Sequence, residues 1–321
     1  MKTDAHVVVI SGAGQLGSRY LQGLAKCRLP LRIFVQDSSP DSLERARLRW
    51  IEVSNPDVIH EVSYHATIAA LPQKIDIAIV ATTAESRPQV VGEIASHAGV
   101  RFWVLEKVLA QSQSGLDEIV SFVGADSGAW VNTPRRMMPW HQQVKMQLGL
   151  GNPVTLRVAG GAWGLACNAV HFLDLLAWWT GETLQGVSTE RLAPHWFASK
   201  RNGILEIAGT LEAKFSGGSS AFLSANESAE PVHAEVADGR QTWLIKEADG
   251  LAVRSDGLAI PGRLAYQSEL TAPLVESILE GRGCDLPTLE ESVGLHRVFI
   301  DSMLQHWRRA SDGSATAVPI T

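Results

Sequence analysis

Apolar and polar positions follow two rhythms along this chain, and the change between them falls near Pro134. The first third alternates short apolar runs with stretches of helical period. A run from His6 to Ser11 is followed by a glycine loop, a helix-like stretch and a second run, Leu31 to Asp37. Ser42 to Trp50 then predicts a helix, and Asp57 to Val62 a short strand. Ile75 to Ala81 is apolar apart from Asp76. Pro88 suits the first turn of a helix reaching Ala98. Arg101 to Leu105 predicts a strand, Leu116 to Val123 a helix and Trp130 to Asn132 a last strand. Uninterrupted apolar strands between helices predict a parallel sheet covered on both faces.

Beyond Pro134 the pattern predicts a helix over Met138 to Leu148, a strand over Pro153 to Ala159 and a helix over Ala169 to Trp179. Thr180-Gly181 stops that helix with a glycine cap. Longer alternating runs follow: Leu205 to Phe215, Ser220 to Ala225, Val232 to Val236, Gln241 to Lys246 and Leu251 to Arg254. Turn residues such as Ser216-Gly217-Gly218 separate them, which is the grammar of an antiparallel meander. Helices over Tyr266 to Glu280 and Leu289 to Arg309 close the chain, and the small, polar tail from Ser311 is expected to be mobile. Two domains are expected, residues 1–133 and 134–321.

Composition narrows the partners. The 321 residues are 45% apolar and 19% charged, with a net charge of −6. That balance disfavours nucleic acid and anionic membrane, and no basic cluster overrides it. No apolar run approaches a membrane span, and Lys2 and Asp4 before a short apolar run predict no secretory signal. The three cysteines, Cys27, Cys167 and Cys284, lack metal or disulfide spacing, so no metal is expected and a reducing cytoplasm is the default compartment.

The sharpest chemistry lies in Gly12-Ala13-Gly14-Gln15-Leu16-Gly17, set between strand and helix. Gly12 allows a tight turn, Gly14 lets a pyrophosphate approach the backbone, and Gly17 lets helix and strand pack closely. The free N–H groups of the helix start would hold the phosphates. Asp37, about 20 residues beyond Gly17, is placed to accept bonds from adenosine ribose hydroxyls and to repel a 2′-phosphate. The expectation is NAD over NADP, with NADP still possible. As an alternative, Asp37 caps the following helix.

Other candidates sit at expected strand ends. Thr82 and Thr83 either line the cofactor or cap the next helix. Glu106-Lys107 ends the fifth strand, and an ammonium there can polarise a carbonyl and exchange a proton. Alternatively, Lys107 is a surface lysine paired with Glu106. Asn168, His171 and Asp174 recur at intervals of three, on one helix face. His171 is either a general acid/base or a satisfied, partly buried histidine beside a capping Asn168. Cys167, one turn before His171, reads as a nucleophile or as a small apolar filler.

Together these segments resemble the glucose-fructose oxidoreductase / inositol dehydrogenase / MocA-type family of NAD(P)-dependent oxidoreductases, along nearly the full length. The resemblance rests on the glycine loop, Asp37, Glu106-Lys107, the stretch ending His171-Phe172-Leu173-Asp174 with Trp178, Trp179 and Gly181 behind it, and Leu286 to Ser292. It implies a Rossmann domain, doubly wound about a parallel sheet, followed by an α/β domain with a large, open, mostly antiparallel sheet. It further implies ligand binding in a cleft between the domains, and a homo-oligomer, dimer or tetramer, formed through the open sheet.

The implied reaction passes a hydride between nicotinamide and a secondary alcohol or carbonyl of a polyol, sugar or sugar derivative. Lys107 and His171 would be catalytic, with Arg135, Arg136, Trp163 and Asn168 as further contacts to a small-molecule substrate; Arg135 and Arg136 either hold its carboxylate or phosphate or form an exposed pair capping structure. Val108 stands where the family has proline, and Cys167 where it often has aspartate. The second departure keeps open a non-catalytic dinucleotide-binding sensor or assembly protein, and the ten tryptophans, which could line a more apolar cleft, keep open a reductase of a non-sugar carbonyl.

Overall fold

The structure is a computed structural model that describes residues 5–53, 60–149 and 151–321. The chain divides into two compact units. The first comprises Met1–Leu109, Ser114–Asn132 and Ala265–Leu289, and the second Ala110–Gln113, Thr133–Leu264 and Glu290–Thr321.

In the first unit six strands form one parallel sheet: β1 (His6–Ser11), β2 (Leu31–Gln36), β3 (Glu61–His65), β4 (Lys74–Val80), β5 (Gly99–Leu105) and β6 (Gly128–Val131). Their order is β3-β2-β1-β4-β5-β6. The chain reverses its direction of travel across the sheet at β1, which has β2 on one side and β4 on the other, and ligands gather at the carboxyl ends of strands at such a switch. The apolar runs read from the sequence are the sheet interior. Val8, Val9, Ile10, Ile33, Val35, Ile77, Ile79 and Val80 are all fully buried. The helices are α1 (Gly17–Leu24), α2 (Pro40–Val53), α3 (Arg87–His97) and α4 (Gln113–Val123). The strand expected over Asp57 to Val62 is displaced to Glu61–His65, and residues 57–59 lie outside the described ones.

The second unit is built on eight strands: β7 (Thr155–Gly160), β8 (Leu184–Ala198), β9 (Leu205–Phe215), β10 (Ser220–Ala225), β11 (His233–Ala237), β12 (Thr242–Lys246), β13 (Leu251–Arg254) and β14 (Ala259–Pro261). They lie in the order β14-β13-β12-β11-β7-β10-β9-β8. Every pair is antiparallel except β7 with β10. With α5 (Pro139–Gln147) the unit contains α6 (Leu165–Thr180), packed on β9 and β10, and α8 (Leu289–Ala310) from Glu290 onward. Leu156, Val158, Leu223, Val236 and Trp243 fill the inner face. The register places Glu212, Phe222, Arg157, Glu235 and Leu244 in one row on the other face. There the Arg157 guanidinium lies 4.5 Å from the Phe222 ring centre.

Three expectations are corrected. The first concerns the domain split: the break at Asn132–Thr133 matches, but a single cut does not describe the chain. The helix α7 (Gln267–Leu279) returns to the first unit, where Arg28 pairs with Glu276 at 2.5 Å. Second, β8, the longest strand, lies where no element was expected. Register shifts along it break the alternation that marks a strand. Third, the tail is docked. Val318 and Ile320 are fully buried, Val318 N–H donates to Gln111, and Leu205 N–H donates to Pro319.

Candidate functional site

The glycine loop follows β1, and each glycine meets a different demand. Gly12 has φ +91°, and a Cβ there would lie 2.8 Å from the backbone of Ala81 and Thr82. A Cβ on Gly17 would stand 1.7 Å from the Gly12 carbonyl oxygen, so α1 can leave β1 this closely only with glycine. At Gly14 nothing lies within 4 Å of the Cβ position. Two glycines are thus required by packing, while the third faces open space at a helix start. That is the shape a pyrophosphate needs.

Asp37, just past β2, reaches this loop. Its Oδ2 accepts from Ala13 N–H at 2.7 Å and its Oδ1 from Ser39 N–H at 2.8 Å. The carboxylate therefore joins the loop to the turn before α2, where Ser39 rather than Asp37 meets the helix start, its Oγ accepting from Ser42 N–H. Thr82 lies beside Gly12, and its buried Oγ1 has no hydrogen-bond partner among the described residues. An orphaned hydroxyl beside the glycine loop fits a polar ligand. Thr83 instead turns to Ser86, Oγ to Oγ 3.2 Å. The capping role considered for the two threonines is corrected, because Ser86 precedes α3 and no side chain caps it. Gln15 is held by Arg49 of α2, whose Nη2 donates to its Oε1 at 2.6 Å. The carbonyl of Leu16 accepts from Tyr20 N–H inside α1.

Glu106 ends β5 in a buried polar cluster. Its Oε1 accepts from the Tyr20 hydroxyl at 2.5 Å and from Asn132 Nδ2 at 2.6 Å. Burial first, and then the Glu106 charge, push the Tyr20 phenol well above its ordinary range. Glu106 is thus bound into the core and is not a surface carboxylate. Lys107 follows, half-buried, and its peptide bond to Val108 is cis. Arg87, at the start of α3, was not singled out from the sequence. Its buried guanidinium donates to the carbonyls of Thr82, Val108 and Leu109, tying the loop after β4 to the corner that carries Lys107. Nothing in the spacing marks it, since all three acceptors are backbone oxygens.

In the second unit α6 starts from Gly164, at φ +77°. A carboxylate from β9 caps it. Glu206 accepts from Ala166 N–H at 2.9 Å and Cys167 N–H at 3.3 Å. Negative charge at a helix start is favourable, and this buried residue also lacks a sequence signal. The Cys167 thiol lies 4.0 Å from the Leu205 carbonyl in a buried setting, which fits the filler reading. Asn168 Nδ2 donates back to the Trp163 carbonyl at 2.9 Å, and Trp163 Nε1 donates to the Ser224 carbonyl. The Trp163 ring meets Phe172 edge-on at 5.5 Å. His171, half-buried, sits on α6 beside Phe172.

The polar row expected on α6 is corrected at Asp174, which is buried and turned to Arg136. The distances are 2.6 Å from Nη2 to Oδ1 and 2.9 Å from Nε to Oδ2, and Thr133 adds a bond of 2.8 Å. Burial raises the Asp174 carboxyl against the pull of Arg136 and Thr133. Arg135 is likewise closed off by Glu247, through bonds of 2.7 and 2.8 Å, and lies 4.3 Å from the Phe172 ring centre. The expectation that Arg135 and Arg136 receive a substrate anion is corrected on this ground, because internal carboxylates already fill both forks. Among the described residues no group of three or more His, Cys, Asp or Glu side chains is arranged for a metal ion, and no helix is long and apolar enough to cross a membrane.

Solved structures share this fold. GenD2 from gentamicin A biosynthesis, in complex with NAD, is 16% identical, with a TM-score of 0.69 over 98% of this chain and 96% of that one. The chain has the fold of these proteins. Myo-inositol 2-dehydrogenase from Lactobacillus plantarum is 16% identical, with a TM-score of 0.67 over 98% of this chain and all of that one. UDP-N-acetylglucosamine 3-dehydrogenase GnnA from Acidithiobacillus ferrooxidans is 17% identical, with a TM-score of 0.67 over 94% and 96%. At these identities the likeness is one of fold. No protein-family model and no curated protein matches the chain.

Proposed function

We propose that this protein is an NAD-dependent oxidoreductase of the glucose-fructose oxidoreductase / inositol dehydrogenase / MocA type. The observation that carries the reading is the division of labour among the glycines, with Gly12 and Gly17 enforced by packing and Gly14 open. The Asp37 carboxylate beside that loop favours a ribose with free hydroxyls over a 2′-phosphate. When bound, NAD supplies the hydride acceptor.

The chain's own residues supply orientation and proton transfer. Lys107, at the end of β5, donates an N–H to the oxygen of a secondary alcohol or carbonyl. His171 exchanges the proton that accompanies hydride movement. Trp163 and Asn168 flank His171 on the substrate side. The substrate class proposed is a polyol, sugar or sugar derivative, consistent with neighbours whose names are inositol and amino-sugar dehydrogenases.

Titration of the apo protein with NADH and NADPH, followed by nicotinamide fluorescence, tests the first step. A panel of polyols, sugars and sugar acids added to the NAD-loaded protein tests the second. The expected result is tighter NADH binding and substrate-dependent reduction of NAD. In Lys107→Ala turnover should fall by about 100-fold or more, with NADH affinity within about twofold of the parent. If neither nucleotide binds, the reading fails. Binding with no turnover across the panel favours a non-catalytic dinucleotide-binding protein, a reading to which the buried Cys167 lends its weight. We further infer that the open face of the eight-stranded sheet, with Phe222, Arg157 and Leu244 in register, joins copies of this chain. A single-chain mass by light scattering would refute that.

A further inference from the structure

Arg49 lies in the middle of α2, outside the glycine motif and 12 residues beyond Asp37. Its hydrogen bonds go to the glycine loop and to the first turn of α1. Nη1 donates to the Gln15 carbonyl at 3.0 Å and to Ser18 Oγ at 2.5 Å, and Nη2 donates to Gln15 Oε1 at 2.6 Å. Ser18 is fully buried and passes the link on, its Oγ donating to the Gly14 carbonyl at 2.6 Å. One guanidinium thereby fixes, directly or through one hydroxyl, the carbonyls of the two residues between Ala13 and Leu16.

The consequence follows from peptide geometry. In a trans peptide the C=O of one residue and the N–H of the next point in opposite directions. Holding the Gly14 carbonyl on Ser18 and the Gln15 carbonyl on Arg49 aims the Gln15 and Leu16 N–H groups away from those partners. We propose that Arg49 is a positioning residue that presets the glycine loop for a dinucleotide pyrophosphate, without itself touching the ligand. The proposal rests on the reading of this loop as an NAD site.

A second observation supports a role beyond helix packing. Burial, then the guanidiniums of Arg19 and Arg45, push Arg49 below its ordinary arginine range. Glu52 pulls the other way, and the bonds to Gln15 and Ser18 hold the guanidinium in place against these costs. Arg47, two residues away on the same helix, provides a control. It pairs with Glu44 at 2.8 Å on the exposed side and makes no bond to the loop.

The test is NADH titration of the full chain in four forms: parent, Arg49→Ala, Arg49→Lys and Arg47→Ala, each with its melting temperature. Arg49→Ala should weaken NADH binding by about tenfold, Arg49→Lys should recover part of the loss, and Arg47→Ala should match the parent. Ser18→Ala, combined with Arg49→Ala, should be less than additive, because both cut the same link to Gly14. Arg49→Lys, which keeps the charge but not the two-nitrogen fork, keeps the proposal testable if Arg49→Ala alone folds poorly, and should then bind NADH more weakly than the parent. Parent-like affinity in Arg49→Ala, equal weakening in Arg47→Ala, or strict additivity with Ser18→Ala overturns the positioning role while leaving the NAD site intact. A parent protein that binds no NADH overturns the site reading itself, and this proposal with it.

Discussion

Arg135 and Arg136 are adjacent and chemically identical, yet each is closed off by a different carboxylate. Asp174 lies 38 residues from Arg136, and Glu247 lies 112 residues from Arg135. No local pattern announces such pairs, which is why an anion-receiving role was readable in the sequence and an internal one was not. The glycine loop is more local, since Gly17 answers to the Gly12 carbonyl five residues away and Gly12 to its own positive φ, although the backbone of Ala81 and Thr82 also crowds Gly12. The Glu247 pair also carries a pH signature. Burial alone would raise the Glu247 carboxyl, but the Arg135 charge and the bonds from His141 and Arg135 outweigh it and bring it down to about 2 from an ordinary 4.5. A carboxyl depressed on folding stabilises the fold above its unfolded value and loses that contribution as pH falls toward the folded one. Chemical denaturation should show stability declining between about pH 4.5 and 2. Glu247→Gln should lower stability at neutral pH by about 3 kcal/mol, because Arg135 is left without a countercharge, and should flatten that acid limb.

At the level of the element, the β1–loop–α1 junction separates folding from binding. Gly17→Ala forces a carbon into the Gly12 carbonyl and should prevent the first unit from folding, seen as loss of its cooperative melting transition. Gly14→Ala meets no protein atom and should leave the melting temperature within a few degrees of the parent while weakening NADH binding by about tenfold or more. A Gly14→Ala protein that binds NADH normally would remove the argument for a close pyrophosphate. The elements themselves were legible where their periodicity is unbroken. The helix end at Gly181 was read from its glycine, which adopts the left-handed conformation with its N–H on the Ala177 carbonyl. The strand β8 was not legible, because its bulges and Pro194 interrupt the period of two. The polar tail concealed Val318 and Ile320, whose burial depends on partners near Gln111 and Leu205.

Across the whole molecule, the decisive correction is the return of α7 to the first unit. A Cβ at Gly23 of α1 would stand 2.7 Å from the Thr271 side chain, so α1 and α7 are in close contact. Glu276 also receives the Arg28 backbone N–H and guanidinium. A fragment of residues 1–133 lacks that helix and should melt non-cooperatively or stay insoluble, although it contains every strand of the parallel sheet. A sharp transition in calorimetry for that fragment would show that α7 is dispensable. The sequence by itself determined the parallel sheet, the glycine loop with its acid at the end of β2, and the antiparallel character of the second unit. Each depends on periodicity or on backbone geometry within one β-α unit, which neighbouring residues encode. Only the tertiary structure decided that Arg136 and Asp174 neutralise each other, that Glu206 caps α6, that Arg87 and Arg49 brace two loops, and that α7 belongs with the first unit. Those outcomes turn on which buried charge or apolar face finds its complement, and the complement lies tens to hundreds of residues away.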